Sequence, residues 1–205
     1  MVLGIAVILA AGLWYLQGAQ QPSAAGNDPA AGAHVVYGDA DAPVTIVEFS
    51  NYLCPHCKHH AEQNLPLIFR EYVDTGKVRY IFRDLPFPSQ DNVELAAQAA
   101  DCAYGQGKYV EYHELLFRAN EQWGRIPVDE LPKYFIDYAA QLGMDTGRFN
   151  RCLSEGKTRP WVEADMALAE KLNINGTPSF FVNGKFIEGF RPFDEWQKII
   201  TDAMK

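Results

Sequence analysis

The chain reads as an α/β protein in which a helical block interrupts a sheet, and three observations say so. Val44–Phe49 and Lys77–Phe82 are short strand-like runs flanking a helical stretch, Lys58–Tyr72, at the spacing of a β-α-β unit with parallel strands. From about residue 91 to 172 the pattern changes to successive helices. Two further short runs, Ser179–Val182 and Lys185–Glu188, then meet at Asn183-Gly184, a dipeptide that favours a two-residue hairpin turn.

Each element has its own justification. Val44-Thr-Ile-Val-Glu-Phe49 is rich in β-branched and aromatic residues. In Lys58–Tyr72 the apolar residues Leu65, Ile68, Phe69 and Tyr72 recur at helical spacing, while Pro66, which lacks an N–H, predicts a kink or interruption. The helices of the block are expected at Asn92–Tyr104, Tyr109–Ala119, Asp129–Leu142, Asp145–Ser154 and Pro160–Leu172. Pro127, Gly143, Gly156 and a first-turn Pro160 punctuate them. A last amphipathic helix, Pro192–Met204, turns Phe193, Trp196, Ile199 and Ile200 toward the sheet.

With 205 residues, 48% of them hydrophobic and 13% aromatic, the chain is long and apolar enough for one sizeable core. A net charge of −8 leaves no basic stripe to neutralise phosphates, which excludes nucleic acid as the expected partner. Residues 1–16 are uncharged and apolar, and residues 17–33 are rich in Gln, Ala, Gly, Ser and Pro. This is an export segment followed by a flexible linker, with the folded domain expected over 34–205. The run is longer than a typical signal core and shorter than the roughly 20 residues of a spanning helix. No Lys or Arg precedes Lys58, and a membrane anchor is favoured over a cleaved signal or a buried helix. Export places the four cysteines in an oxidising compartment such as a periplasm or cell envelope, where disulfides persist. Cys54 and Cys57 pair by proximity, which leaves Cys102 with Cys152.

Cys54-Pro55-His56-Cys57 carries the chemistry. It lies between a strand and a helix, the setting in which a cysteine pair does redox work. The unpaired N–H groups and dipole of a helix start favour a thiolate, so Cys54 is expected to be the low-pKa, reactive thiol. A purely structural disulfide is a weak alternative, because so short a loop removes little chain entropy. Zinc is the other rival, since Cys54, His56, Cys57, His59 and His60 fall within seven residues. A closed zinc site needs a second ligand pair, and Cys102 and Cys152 are not spaced as one. Fifty positions separate those two, and bridging them would remove about 4 kcal/mol of unfolded-state entropy, which favours a structural bridge over a second redox relay. Glu48, in the middle of an apolar strand, is costly unless it has a task.

The element order is that of a thioredoxin fold with an inserted helical subdomain. From about His34 onward the chain resembles the DsbA-like family of exported thiol-disulfide oxidoreductases. The resemblance rests on PVTIVEFSNYLCPHC (43–57), DCAYGQGKYVEYHELLF (101–117) and INGTPSFFVNG (174–184). It implies that Cys54 is the exposed nucleophile, Cys57 its buried resolving partner, and Pro55-His56 the dipeptide of strongly oxidising members, with His56 supporting the Cys54 thiolate. It also implies a cis Thr177–Pro178 bond beside the cysteines, a Thr177 backbone free to pair with an extended substrate, and a proton-exchanging role for Glu48. His59 and His60 are expected on a solvated first turn, and His34 and His113 without special roles. The activity implied is a monomeric oxidase donating the Cys54–Cys57 disulfide to reduced secreted proteins, without cofactor or metal, and reoxidised by a DsbB- or VKOR-type membrane oxidase. Two alternatives stay open. One is an isomerase or reductase kept reduced by a membrane electron carrier, with Thr177 tuning the potential. The other is a binding module, either a metal carrier using the Cys/His cluster or a holding chaperone.

Overall fold

The computed structural model describes residues 27–205, so the apolar segment 1–16 and the linker up to residue 26 lie outside the described residues. Among the described residues, five strands form one sheet in the order β1-β3-β2-β4-β5, numbered along the chain. β2 (Val44–Ser50) and β3 (Val78–Asp84) run parallel along their whole length, from Val44 opposite Val78 to Ser50 opposite Asp84. β4 (Ser179–Val182) lies antiparallel to β2, and β5 (Lys185–Glu188) antiparallel to β4. Asn183 and Gly184 join those two strands with φ of 46° and 80°, the left-handed pair that a tight hairpin turn demands. The edge strand β1 (Val35–Tyr37), antiparallel to β3, is absent from the sequence reading: three residues are too few to display an alternation.

The sheet is covered on both faces, which explains why β2 places apolar residues, Ile46 on one side and Val47 and Phe49 on the other, toward both. Ile46 faces the larger core, together with Tyr80, Phe82, Phe180, Trp196 and the helices of the insertion. Val47 and Phe49, of opposite parity, face a smaller core with Ile81, Phe181, Ala169 and Ile174. Glu48 shares the Ile46 side by the same period of two.

α1 (Pro55–Gln63) begins with proline at its first position, where a missing N–H costs nothing. The helix expected over 58–72 is broken where Pro66 has no N–H for the carbonyl four residues back: a short α2 (Leu65–Ile68) follows, then a π-helical turn at Phe69–Val73. The insertion contains α3 (Asp91–Tyr104), α4 (Tyr109–Arg118), α5 (Asn120–Trp123), α6 (Leu131–Gln141), α7 (Thr146–Ser154) and α8 (Arg159–Lys171). The single-turn α5 has no sequence periodicity to reveal it. α6 begins two residues later than expected, at the residue before Pro132. The Asp145 side chain caps α7 by accepting the Arg148 N–H at 2.9 Å. α9 (Phe193–Ala203) buries Trp196 and Ile200, and Trp196 meets Phe180 edge-on at 4.7 Å between ring centroids.

Two long-range ties hold the periphery. Cys102 in α3 is disulfide-bonded to Cys152 in α7. Arg83, buried at the end of β3, pairs with Asp165 of α8 at 2.6 Å and donates to the carbonyls of Pro29, Ala31 and Gly32. That grip extends the folded body to about residue 29, inside the stretch that composition assigned to the linker, and Ala30 and Ala33 pack on the smaller core. Composition could not reveal it, because the partner is a single arginine more than fifty residues away. Among the described residues, no helix is long and apolar enough to cross a membrane.

Replacing both Cys102 and Cys152 by alanine should lower unfolding free energy by about 2–4 kcal/mol, because the bridge closes a long loop. Urea unfolding measures the loss. Disulfide exchange at Cys54 should stay at the parent rate; a slower exchange would make the bridge a redox relay instead.

Candidate functional site

The cysteine motif sits where β2 ends and α1 begins. Between them, residues 51–53 are braced from several sides. Buried Asn51 accepts the Leu53 N–H and donates to the Leu85 carbonyl and Gln90, while Asn120 donates to the Tyr52 carbonyl. Cys54 is the N-cap residue of α1, with extended backbone and no side-chain cap, so the first-turn N–H groups face its sulfur. Cys57, one turn on, is fully buried. Both are free thiols.

This asymmetry of place produces an asymmetry of charge. The Cys54 thiol is pushed down to about 5, first by a hydrogen bond from the Cys57 thiol, then by Thr177 and the backbone N–H groups of Cys57 and His56, against the cost of partial burial. Cys57 goes the other way: burial and the neighbouring Cys54 raise it well above an ordinary thiol. The Thr177–Pro178 peptide is cis, and the Thr177 carbonyl oxygen lies 3.2 Å from Cys54 Sγ, where it can accept a hydrogen bond only from the protonated thiol. His56 contributes through its backbone N–H, since its ring is exposed beside His59, with ring centroids 6.3 Å apart.

Behind the cysteines lies Glu48, only 1% exposed. Burial pushes its carboxyl up to about 7, and the nearby Cys54 charge adds to the rise. Tyr80 donates to Glu48 Oε2 at 2.6 Å, and His60 Nε2 meets Tyr80 Oη at 3.1 Å. Tyr80 is opposite Ile46, so it lies diagonally across the strand pair from Glu48. His60 corrects the expectation of two solvated histidines: His59 is exposed, but His60 is fully buried against Phe180 and Trp196. The reason is helical spacing, since His60 follows buried Cys57 by three residues and shares its face. His113 is buried as well, with Nδ1 2.9 Å from Tyr52 Oη. Asn51, His60, Asn64 and Tyr80 are the site residues that sequence reasoning missed; only the three-residue interval from Cys57 to His60 carried a usable clue.

The Cys/His set does not converge as a metal site would, because α1 turns His56 and His59 outward and His60 inward. Among the described residues, the group whose ligand atoms all lie within 4.8 Å of one another is His34, Asp84 and Asp101. Burial and mutual repulsion raise both acids well above the usual carboxylate range, and Asp165 beside them is already paired with Arg83.

Two titrations follow from this geometry. Thiolate absorbance of the reduced protein should appear with a midpoint near pH 5 and vanish in Cys54→Ser. Because folding depresses this thiol, its contribution to stability is complete above the unfolded value and is lost as pH falls toward 5. The stability gap between reduced and oxidised protein should therefore shrink from about pH 9 to pH 5, measured by denaturant unfolding of both forms. Glu48 has the opposite sign: its raised carboxyl costs stability as pH rises from about 4.5 to 7, so Glu48→Gln should stabilise the fold more at pH 8 than at pH 4, by about 3 kcal/mol.

Comparison with known proteins agrees with this architecture. A family model described as Thioredoxin matches residues 30–202. Disulfide bond formation protein D of Bacillus subtilis is 30% identical over 194 residues, covering 88% of this chain and 83% of that one. The crystal structure of oxidised BdbD from Bacillus subtilis superposes with a TM-score of 0.69 at 30% identity, covering 82% of this chain and 91% of that chain. That of Wolbachia pipientis α-DsbA1 gives 0.73 at 26% identity, covering 82% and 89%. The chain also matches Na(+)/H(+) antiporter NhaA 3 of Salinispora tropica at 35% identity over 73% of its own length, yet spans only 22% of that protein. By sequence and by fold, the chain belongs to the DsbA-like thiol-disulfide oxidoreductases of the thioredoxin superfamily.

Proposed function

We propose that the protein is an extracytoplasmic disulfide oxidase that donates the Cys54–Cys57 disulfide to reduced secreted proteins. The observation that carries this reading is the opposed placement of the two thiols: Cys54 held as a thiolate at the start of α1, Cys57 buried behind it. A stabilised thiolate is a good leaving group, so a disulfide containing Cys54 passes readily to another thiol. The bridge between Cys102 and Cys152 supports an oxidising compartment.

The cycle starts from the oxidised pair. A substrate thiolate attacks Cys54 Sγ, the bond to Cys57 breaks, and Cys57 leaves with the electron pair. Its sulfur, buried where charge is costly, takes a proton from the Glu48 carboxyl, whose raised pKa keeps it protonated near neutrality. A second substrate thiolate then attacks the substrate sulfur of the mixed disulfide, and Cys54 departs as a thiolate. The substrate has lost two electrons and two protons. Both substrate protons pass to solvent and one returns from solvent to restore Glu48, so the enzyme has gained the electrons and one proton, at Cys57, and one proton is released. The Thr177 carbonyl, 3.2 Å from Cys54 Sγ, lies where an extended substrate strand can pair beside the reacting sulfur. Pro178 contributes no N–H near it.

By resemblance, a quinone-linked membrane oxidase of the DsbB or VKOR type restores the disulfide, and the protein acts as a monomer without a bound cofactor. Cys54→Ser should abolish transfer to a reduced model substrate, while Cys57→Ser should accumulate the mixed disulfide at Cys54. Equilibration with glutathione should place the pair well above thioredoxin's potential of about −270 mV. A value as reducing as thioredoxin's would turn the assignment to an isomerase or reductase.

A further inference from the structure

Chemistry fixes the direction of every hydrogen bond in the chain that ends at Glu48. The Arg191 carbonyl can only accept, so the Asn64 atom facing it at 2.8 Å is the amide nitrogen. That nitrogen also lies 3.2 Å from His60 Nδ1, which must then be the bare, accepting nitrogen of the ring. Complete burial keeps the imidazole neutral, so its proton sits on Nε2 and is donated to Tyr80 Oη at 3.1 Å. Tyr80 has a single proton, given to Glu48 Oε2 at 2.6 Å. A proton on Oε2 would leave the buried Tyr80 hydroxyl proton without an acceptor. Oε1 is buried and makes no close hydrogen bond, and the equally unpaired Ser50 hydroxyl is the other side-chain donor that acts on the carboxyl.

We propose that Asn64, His60 and Tyr80 form a positioning relay that reserves Oε2 of Glu48 as an acceptor and makes Oε1 the atom that exchanges a proton with Cys57. This rests on the assignment of Glu48 as proton donor to Cys57 and adds which oxygen acts and what sets it. The relay moves no proton itself, because Asn64 cannot pass one on. It works by orientation: three donors in series point at Oε2 and favour the carboxylate against the cost of burial. Other groups also act on Glu48. Ser50 acts on it from β2 as a weaker donor than Tyr80, Cys57 and His60 face it from α1, Cys54 from the helix start, and Tyr80 and Asp84 from β3, while Tyr52 lies in the loop before the cysteines. From β4 and α9 the uncharged rings of Phe180 and Trp196 pack against His60. Tyr80 is therefore the strongest donor to the carboxylate, and the one whose removal can be read cleanly.

The unmodified reduced protein supplies the first test, so no variant needs to fold. Long-range ¹⁵N correlation spectra should identify His60 as the Nε2–H tautomer, and an Nδ1–H tautomer would overturn the relay. Tyr80→Phe keeps the ring and removes the donor. Glu48 ionisation, followed by carboxyl ¹³C NMR of labelled reduced protein, should then move up by about one pH unit. The pH profile of mixed-disulfide formation should move with it and lose that limb in Glu48→Gln. An unchanged Glu48 midpoint in Tyr80→Phe would overturn the relay. A midpoint that moves while the exchange profile stays in place would uphold the relay and overturn the role given to Glu48 above.

Discussion

A carboxyl group placed on the central strand of a sheet that is covered on both faces costs several kcal/mol unless it is hydrogen-bonded or neutralised. Glu48 imposes that constraint, and much of the site is arranged around it. Tyr80 must reach it across the strand pair, His60 must be drawn inward from α1, and Asn64 must end the helix with its amide turned to the Arg191 carbonyl. The outcome is a carboxyl poised near neutrality beside a buried thiol, the arrangement on which the proposed proton exchange with Cys57 rests.

The second organising feature is the start of α1. One helix terminus gives the two cysteines opposite characters: Cys54, at the cap, is bathed in backbone N–H groups, and Cys57, one turn inward, is sealed in the core. Their sequence separation of three residues is sufficient for this because a helical turn spans 3.6 residues, so the second sulfur returns to the first one's side at greater depth. Asn51 and Asn120 hold the preceding loop, so the cap geometry does not depend on the motif alone. The disulfide between α3 and α7 and the Arg83 grip on residues 29–32 lie away from this centre and stabilise the frame that carries it.

Much of this was legible in the residues themselves. β2, β3, the Asn183-Gly184 hairpin, the interruption at Pro66, the final amphipathic helix and the cysteine motif on a helix start each follow from patterns a few residues long. Glu48 stood out because a charge in an apolar strand violates its surroundings. β1 and α5 were invisible because three or four residues carry no period. The inward turn of His60 was hidden behind its neighbour His59, since adjacent residues on a helix point about 100° apart and nothing in the pair says which one meets the core.

What the sequence determined by itself is therefore the local chemistry: a strand, a reactive dithiol on a helix N-terminus, a helical insertion and a returning hairpin, all governed by periodicity and dipoles that act within a turn or two. Only the tertiary structure decided the company those residues keep. Glu48 and Tyr80 are 32 positions apart, Cys54 and Thr177 are 123, and Asn64 and Arg191 are 127. Strand register and helix packing bring them within hydrogen-bond distance, and those depend on the whole core at once.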